Sequence, residues 1–438
     1  MKKEEKAPSY ALFTLGCRVN QYESDAIGEI LRGEGFLPAP RGEAADVYVI
    51  NTCAVTAESE RKSRQLIRRA RAANPAAAVV VTGCSAELEG AALADLGADA
   101  VCGNAAKAEI PATVRKILSN REKVPVSVPD LSTAPYDGLS VSEPKRARTY
   151  IKIEDGCSNR CAYCVIPRVR GPVRSRDPDG VLREAEILLG SGVREIILTG
   201  IETGSYGEDL GDRGGLVRLL YRLDALGVPR VGMGSLDPSV LRDDFIEAAA
   251  TLPSVLPHFH ISVQSGSSAT LKRMRRKYSA EQLSDRIAAL RCAVPDVTLS
   301  ADGITGFPGE TDAEFDETLA LMSEIKFLHL HVFPYSSRPG TEAAKMADQI
   351  PVAVRRERAA ELSRGQAEIK GDLLARYAAD HAADPVAVLV EKYERGTASG
   401  HSEHWVDVCF DGSPADVGRI LNVATVSSNG TCVKGKKA

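Results

Sequence analysis

The sequence lacks any apolar run long enough to cross a membrane or to act as a secretory signal, and its start, MKKEEKAPSYALFTLG, carries neither. It also lacks a strong charge excess: 55 Lys and Arg face 59 Asp and Glu, a net charge of −4. The glycine-rich stretch GITGFPGET (303–311) has no Lys-Ser/Thr ending, which excludes a phosphate-binding loop. These absences indicate a cytoplasmic protein with no membrane partner, in which any affinity for nucleic acid comes from local basic patches.

What the sequence does contain is cysteine, ten in all. In a reducing compartment this number favours metal binding or catalysis over disulfides. Cys157, Cys161 and Cys164 form a C-x3-C-x2-C loop directly after a predicted strand. Three thiolates do not complete a tetrahedral zinc site, but they hold a 4Fe-4S cluster with one iron left open. The alternatives are a loop of inert thiols, or a zinc site completed by a distant fourth residue.

A second cysteine set is spread over the first hundred residues. Cys17 ends LFTLGC, Cys53 ends VYVINTC and Cys84 ends VVVTGC, so each closes a predicted strand. Because the carboxyl ends of parallel strands meet at one edge of a sheet, the three thiols are expected to converge. This arrangement predicts a second cluster, for which Cys102 in AVCGN is a competing ligand. The alternative for each is a buried structural cysteine.

The periodicity predicts an α/β multidomain chain. Short apolar runs alternating with helical patterns over 8–118 are typical of an N-terminal open parallel α/β sheet. Residues 119–148 are rich in Pro and Ser and read as a linker. Six β/α units over 149–370 predict a partial (β/α)6 barrel, and β-rich runs over 371–438 predict a small antiparallel β-barrel.

Together these motifs resemble the radical S-adenosylmethionine methylthiotransferase family over nearly the whole chain. The resemblance implies that Cys157, Cys161 and Cys164 hold a 4Fe-4S cluster whose open iron is chelated by S-adenosylmethionine. It implies an auxiliary 4Fe-4S cluster on the N-terminal cysteines, and no catalytic residue beyond the cluster ligands. The last segment is similar to the family's RNA-binding TRAM domain, where GHSEHWVDV replaces a G-x-T-E-N-Y-x-x-V pattern and Trp405 is expected to stack on RNA.

Four stretches decide the expected substrate: TLGCRVNQYESD, NTCAVTAESERKSRQ, RGPVRSR and HVFPYSSRPGTEAA. They resemble the enzymes that methylthiolate C2 of N6-threonylcarbamoyladenosine next to the tRNA anticodon. The expected partners are therefore the tRNA anticodon stem-loop and an electron donor such as flavodoxin or ferredoxin, with no oligomeric state indicated. The alternatives are methylthiolation of isopentenyladenosine in tRNA or of a ribosomal-protein aspartate, and a non-enzymatic iron-sulfur RNA-binding sensor.

Candidate contacts to S-adenosylmethionine follow from position, since barrel chemistry lies at the carboxyl ends of the strands. An ionised carboxylate there suits the methionyl ammonium or a ribose hydroxyl. The predicted contacts are Tyr163, Gly200, Glu202, Ser235, Gln264, Ser265 and Asp302.

Positive charge follows the cysteine loop directly, and the runs RKSRQLIRRAR (61–71) and KRMRRK (272–277) add more. Such runs usually form solvated helix faces. An RNA substrate gives them another role, because phosphate contacts position a nucleic acid. The predicted RNA contacts beside the cluster are Arg168, Arg170, Arg174 and Arg176.

Overall fold

The first unit of the chain is a parallel sheet flanked by helices on both faces. The computed structural model describes residues 7–120, 122–144 and 146–438. The strands of this sheet are β1 (Ser9–Thr14), β2 (Leu37–Pro38), β3 (Val47–Thr52), β4 (Ala78–Gly83) and β5 (Ala100–Val101). Its helices are α1 (Arg18–Gly33), α2 (Ala57–Ala73), α3 (Cys84–Asp95) and α4 (Ile110–Asn120).

The strand order is β2-β1-β3-β4-β5, and all neighbouring pairs run parallel. The central strands β3 and β4, VYVINT and AVVVTG, are buried along their whole length. β-branched residues suit such strands because both faces lie under helices. Ile27 of α1 packs on one face and Ile67 of α2 on the other. The predicted open parallel sheet is confirmed.

The strands of the second unit belong to two parallel sheets, which follow one another around an open barrel, and to a separate two-stranded sheet. They are β6 (Arg148–Lys152), β7 (Glu154–Asp155), β8 (Arg174–Ser175), β9 (Glu195–Thr199), β10 (Val231–Met233), β11 (Ser235–Leu236), β12 (His258–Gln264), β13 (Thr298–Thr305) and β14 (His329–Pro334). The helices are α5 (Ile166–Arg170), α6 (Pro178–Gly190), α7 (Gly215–Ala225), α8 (Asp243–Thr251), α9 (Ser268–Arg273), α10 (Ala280–Ala293), α11 (Asp312–Ile325) and α12 (Val352–Asp380).

The sheet orders β10-β9-β6 and β11-β12-β13-β14 join through Gly234, because β10 and β11 are consecutive. Six parallel positions therefore line the barrel, as the six predicted β/α units require, and β7 and β8 form a short antiparallel pair at its opening. Short 3-10 turns occur at Asn104–Glu109, Thr203–Ser205, Glu208–Leu210, Pro238–Val240, Ala343–Lys345 and Pro414–Asp416. The partial barrel is confirmed.

The last unit is a closed barrel of β15 (Val386–Glu394), β16 (Thr397–Ser402), β17 (Asp407–Asp411), β18 (Ile420–Ser428) and β19 (Val433–Lys437), in the order β15-β16-β17-β19-β18. It is antiparallel except where β19 closes the barrel parallel to β17. Helix α12 runs across the predicted boundary at residue 371. Its Leu362 packs in the core of the large barrel and its Leu374 in the core of the small one.

The segment between the first two units is packed against both of them. Leu139 and Val141 are buried against Tyr22 and Ala26 of α1. The Tyr22 hydroxyl donates to the Leu139 carbonyl over 2.8 Å. The segment therefore fixes the two units together, although it contains no helix or strand within 122–144. Across the described ranges, none of the helices combines the length and the apolar character needed to span a bilayer.

Candidate active site

The C-x3-C-x2-C loop lies at the opening of the large barrel, immediately after β6 and β7. Gly156 precedes the first cysteine with φ of +86°, and a Cβ there would clash with the Pro172 carbonyl oxygen, so only glycine fits. The Cys157 amide donates to the Gly171 carbonyl over 3.0 Å, and the Ala162 amide donates to the Met274 carbonyl over 2.9 Å. Backbone hydrogen bonds thus fix the loop at both ends.

The thiols of this loop receive hydrogen bonds from the protein. The Ile166 amide lies 3.4 Å from the Cys164 sulfur, and the Arg276 guanidinium lies 3.3 Å from the Cys161 sulfur. Burial raises the pKa of Cys164 to about 12 and raises the pKa of Cys157 further. Metal binding requires thiolates, so ligation of iron would release these protons. Donors aimed at sulfur are also one of the devices that tune an iron-sulfur cluster.

The second cysteine set lies at the carboxyl edge of the first sheet, as its spacing predicts. Cys17 follows β1 and precedes α1, Cys53 follows β3, and Cys84 begins α3 directly after β4. Burial raises the pKa of Cys53 to about 11, and nearby Cys84 and Cys17 raise it as well. A Cβ on Gly16 would lie 2.9 Å from the Cys53 sulfur, so the backbone before Cys17 approaches this thiol closely.

The two cysteine sets face each other across the junction of sheet and barrel. Cys84 packs in one apolar cluster with Ala54, Val165 and Val169. Beside this contact is a cavity of 460 Å³. It is lined by Gly16, Cys17, Cys53, Val55, Thr56 and Ser59 from the first unit, and by Tyr163, Cys164, Val165, Ile166, Gln264, Asp302, Ile304, Phe333, Pro334, Tyr335 and Ser336 from the second.

Cys102 does not compete for this position. It is buried in the core between the first sheet and α4, in one cluster with Ile110 and Val114. Burial raises the pKa of its thiol to about 11. It is absent from the cavity lining and behaves as a structural cysteine.

The candidate cofactor contacts divide into three groups. Tyr163, Gln264 and Asp302 line the cavity. Gln264 has φ of +70°, a conformation that a non-glycine residue adopts only when its surroundings impose it. Glu202 lies deeper in the barrel, where its carboxylate accepts the Asp237 amide over 2.8 Å. Burial raises its pKa to about 8, and Asp237 adds to this.

The remaining candidates lie away from the cavity. A Cβ on Gly200 would clash with the carboxylate of Glu154, so only glycine leaves room for that side chain directly after β9. Ser235 is half-buried on β11. Ser265 is fully buried and its hydroxyl lies 3.2 Å from that of Thr318 on α11, so its contact with the cofactor stays a prediction. The turn after β12 directs it into the protein.

Arg170 is wrong as an RNA contact, because its side chain is 0% exposed. Its guanidinium lies 2.6 Å from the carboxylate of Glu23 and also contacts Asp155. Lys107 and Lys152, both fully buried, pair with Glu23 as well. With Asp137 beside Lys152, three carboxylates face three cations between the first sheet and the barrel. We call this set the buried ion network.

Two more of the four arginines are structural. Arg174 is 12% exposed and donates to the carbonyl oxygens of Leu131 and Arg170. Arg176 is 11% exposed and pairs with Glu184 of α6. RNA contact at these two residues stays a prediction, and their present contacts are to the protein because the loop folds inward. Arg168 is exposed, donates to the Pro339 carbonyl, and stays a candidate.

Trp405 is not an open stacking platform. Its ring stacks on His258 of β12 with centroids 5.3 Å apart and planes 9° from parallel. The guanidinium carbons of Arg148 and Arg18 lie 4.4 and 5.8 Å from its centroid. The prediction that Trp405 stacks on RNA is therefore corrected: the ring is occupied, and it joins all three units.

Asp302, a predicted cofactor contact, has polar neighbours whose roles the sequence does not indicate. His260, Asp302 and His331 come from three adjacent strands and place ligand atoms within 4.8 Å of one another, a spacing that a divalent cation could bridge. The Nε2 atom of His260 lies 3.2 Å from a carboxylate oxygen of Asp302, so these two side chains pair with each other. Arg276, in a run expected to be a solvated face, instead pairs with Asp237 and reaches Cys161.

Gly83 gives a test of the second cysteine set. It has φ of +92°, and a Cβ there would clash with the Thr52 carbonyl oxygen. Gly83→Ala is expected to destabilise the protein by about 1–3 kcal/mol and to lower iron binding, because it displaces Cys84. Gly33→Ala, on α1 with open space around it, is the matched control. Iron analysis and thermal unfolding check the result, and an unchanged iron content in Gly83→Ala would contradict it.

Comparison with known proteins agrees with this geometry. Residues 9–103 match the model of uncharacterized protein family UPF0004, and residues 151–322 match the Radical SAM superfamily. The fold is similar to that of the radical S-adenosylmethionine methyltransferase TsrM from Kitasatospora setae, with a TM-score of 0.56, 15% identity, and coverage of 90% of this chain and 80% of that chain. The fold and the cysteine loop therefore define a radical S-adenosylmethionine enzyme.

Relatives with longer matches define the family. The threonylcarbamoyladenosine tRNA methylthiotransferase MtaB of Bacillus subtilis is 38% identical, covering 94% of this chain and 92% of that protein. The protein of the same name from Thermotoga maritima is 37% identical, with 95% and 94% coverage. A tRNA-2-methylthio-N(6)-dimethylallyladenosine synthase of Pelotomaculum thermopropionicum is 34% identical, with 96% and 95% coverage. The chain belongs to the radical S-adenosylmethionine methylthiotransferase family, whose cofactors are S-adenosylmethionine and 4Fe-4S iron-sulfur clusters.

Proposed function

We propose that the protein methylthiolates C2 of N6-threonylcarbamoyladenosine next to the anticodon of tRNA, with two 4Fe-4S clusters and S-adenosylmethionine. The observation that carries this proposal is the shared cavity, because both cysteine sets reach it. Replacing a C–H bond by C–S needs a radical source and a sulfur source at the same substrate atom. Holding both beside one bound nucleoside makes the reaction effectively intramolecular.

The residues present fit the two clusters. Each set supplies three soft thiolates and no fourth, which leaves one iron of a 4Fe-4S cluster open. The Ile166 amide and the Arg276 guanidinium already point at sulfur in the barrel set. Bound there, the clusters and S-adenosylmethionine would supply the radical and the methylthio group.

The side chains around the cavity orient the reactants and exclude water. Tyr163, Phe307 and Tyr335 form an aromatic wall, with ring centroids 6.4 and 5.5 Å apart. Gln264 at the end of β12 and Asp302 within β13 offer hydrogen-bonding groups to the cavity, where they can hold S-adenosylmethionine. Such a dry wall protects a reactive intermediate from side reactions.

The RNA would approach over the exposed rim of the barrel. Arg168 and Arg275 are exposed there, and both contact the loop that follows β14, at Pro339 and Glu342. A nucleoside undergoing chemistry must leave its stack, and an anticodon loop presents bases already unstacked. A tRNA substrate also places the enzyme in the cytoplasm, where flavodoxin or ferredoxin can serve as electron donor.

The choice of threonylcarbamoyladenosine rests on the relatives of Bacillus subtilis and Thermotoga maritima and on the sequence stretches near the cavity. The second candidate is the isopentenyl (dimethylallyl) nucleoside, which the Pelotomaculum relative supports. A ribosomal-protein target and a non-enzymatic sensor have no such support among the relatives compared.

Nucleoside mass spectrometry of tRNA from cells with and without the gene tests the proposal. We expect methylthio-threonylcarbamoyladenosine to disappear in the deletion strain, with accumulation of the unthiolated nucleoside. Complementation with the wild-type gene is the control. Loss of methylthio-isopentenyladenosine instead would assign the second candidate, and an unchanged nucleoside profile would exclude a tRNA substrate.

A further inference from the structure

Arg18 is a half-buried arginine with no hydrogen bond or salt bridge to its guanidinium among the described residues, and Tyr150 and Asp302 attract it only through space. It directly follows Cys17 and is the first residue of α1. Other arginines that point into this junction are satisfied: Arg170 pairs with Glu23, Arg176 with Glu184, and Arg276 with Asp237. A cation held in a partly dehydrated position without an anion is costly, so Arg18 needs an explanation.

The position of Arg18 is set by its neighbours. Trp405 covers one side of the guanidinium at 5.8 Å. His258, His260 and Trp405 line a small pocket with it. Cys17, the residue before Arg18, lines the main cavity. Burial lowers the pKa of Arg18. Contact with an aromatic face holds the planar group in place while leaving its N–H edge free to donate.

Asp302 attracts Arg18 but forms no salt bridge with it. Asp302, which lines the main cavity, is held instead by His260 at 3.2 Å. A ring nitrogen of His331 also lies within 4.8 Å of that carboxylate. The guanidinium edge is therefore available to a ligand that enters from the cavity, and the two histidines provide further polar groups beside it.

We propose that Arg18 binds the carboxylate of the threonyl group of the substrate and so selects threonylcarbamoyladenosine over isopentenyladenosine. This inference rests on the proposed function. The threonylcarbamoyl substituent ends in a carboxylate, which matches the two-pronged edge of a guanidinium, whereas the isopentenyl group is apolar and offers no acceptor. Because Arg18 adjoins Cys17, a carboxylate bound there anchors the nucleoside beside the second cysteine set.

The test uses the reconstituted full-length enzyme and three synthetic anticodon stem-loops. They carry threonylcarbamoyladenosine, its methyl ester, or isopentenyladenosine. We expect the wild type to prefer the acid over the ester by about 10- to 100-fold in kcat/KM, the range of one charge-assisted contact. Arg18→Gln should lose this preference because its KM for the acid rises, whereas its KM for the ester stays unchanged.

Two further variants separate binding from structure. Arg18→Lys keeps the positive charge but lacks the paired N–H donors of the guanidinium. It should therefore retain part of the preference for the acid over the ester. Arg32→Gln, near the other end of α1 and paired with Glu143, should behave as wild type. Iron content and cleavage of S-adenosylmethionine without RNA should be equal in all of them. Fluorescence anisotropy of labelled stem-loops gives the same acid-to-ester comparison as a binding measurement.

The outcomes are distinct. Equal use of acid and ester by the wild type, or an Arg18→Gln enzyme that still prefers the acid, would overturn the role of Arg18. A wild type that modifies only the isopentenyl stem-loop would instead overturn the proposed substrate. If Arg18→Gln fails to bind iron, the wild-type ratio and Arg18→Lys decide the matter, because both retain the positive charge next to Cys17.

Discussion

Replacing Cys164 by Ala is expected to abolish cleavage of S-adenosylmethionine, whereas replacing Cys84 by Ala should abolish only methylthio transfer. The two thiols lie in the same junction, but they belong to different sets. If each set holds one cluster, as the proposed function requires, each variant should lose roughly half of the bound iron. Anaerobic assay of 5′-deoxyadenosine, mass spectrometry of the RNA product and iron analysis separate the two effects.

The exposed Cys292 on α10 provides the control, and Cys292→Ala should keep both activities and all of its iron. Methylthio transfer at the wild-type rate by Cys84→Ala would show that the second set is not a cluster site. Loss of S-adenosylmethionine cleavage in both variants would show that the two sets depend on each other structurally.

Replacing Glu23 by Gln is expected to lower the free energy of unfolding by about 3–5 kcal/mol, the cost of breaking a buried charge pair. Glu23 is fully buried and contacts three cations, Arg170, Lys107 and Lys152. Removing its negative charge leaves these three buried cations without full compensation, in a site that water does not reach. Denaturant unfolding of the two proteins measures the difference. Glu58→Gln, which breaks an exposed pair with Arg61, should produce no measurable change.

The same network makes stability depend on pH in a defined direction. Burial alone would raise the pKa of Glu23, but Arg170, Lys107 and Lys152 hold this pKa well below its ordinary value. Its contribution is therefore complete above the pKa of the carboxyl in the unfolded chain and is lost as the pH falls through the folded value. Wild type should lose more stability on acidification than Glu23→Gln, and parallel curves would contradict this.

The strands and the cysteines could be predicted from the sequence because the signals are local. β3 and β4 are continuous apolar runs, and a run of that kind fixes both a buried strand and the place where it ends. Once Cys53 and Cys84 are known to follow parallel strands, the sheet topology alone brings them to one edge. The three cysteines of the barrel set lie within one short loop, so their proximity can be predicted without any knowledge of the sheet topology.

The roles of the arginines could not be predicted, because they depend on contacts distant in the chain. Arg170 meets Glu23 across 147 residues, and nothing in RGPVRSR distinguishes its inward direction from the outward direction of Arg168. The same limit applies to Trp405, whose occupied ring depends on residues of two other units. Position in a basic run predicts charge density but not the face on which each charge lies.

The contacts of Trp405 also bear on how the protein is made. Synthesis proceeds from the N-terminus, and early domains fold as they emerge. Arg18 and the second cysteine set are therefore present long before Trp405, which covers Arg18 from the small barrel. A partly synthesised chain lacks this cover. The pocket around Arg18 is therefore complete only after the small barrel has been synthesised and folded.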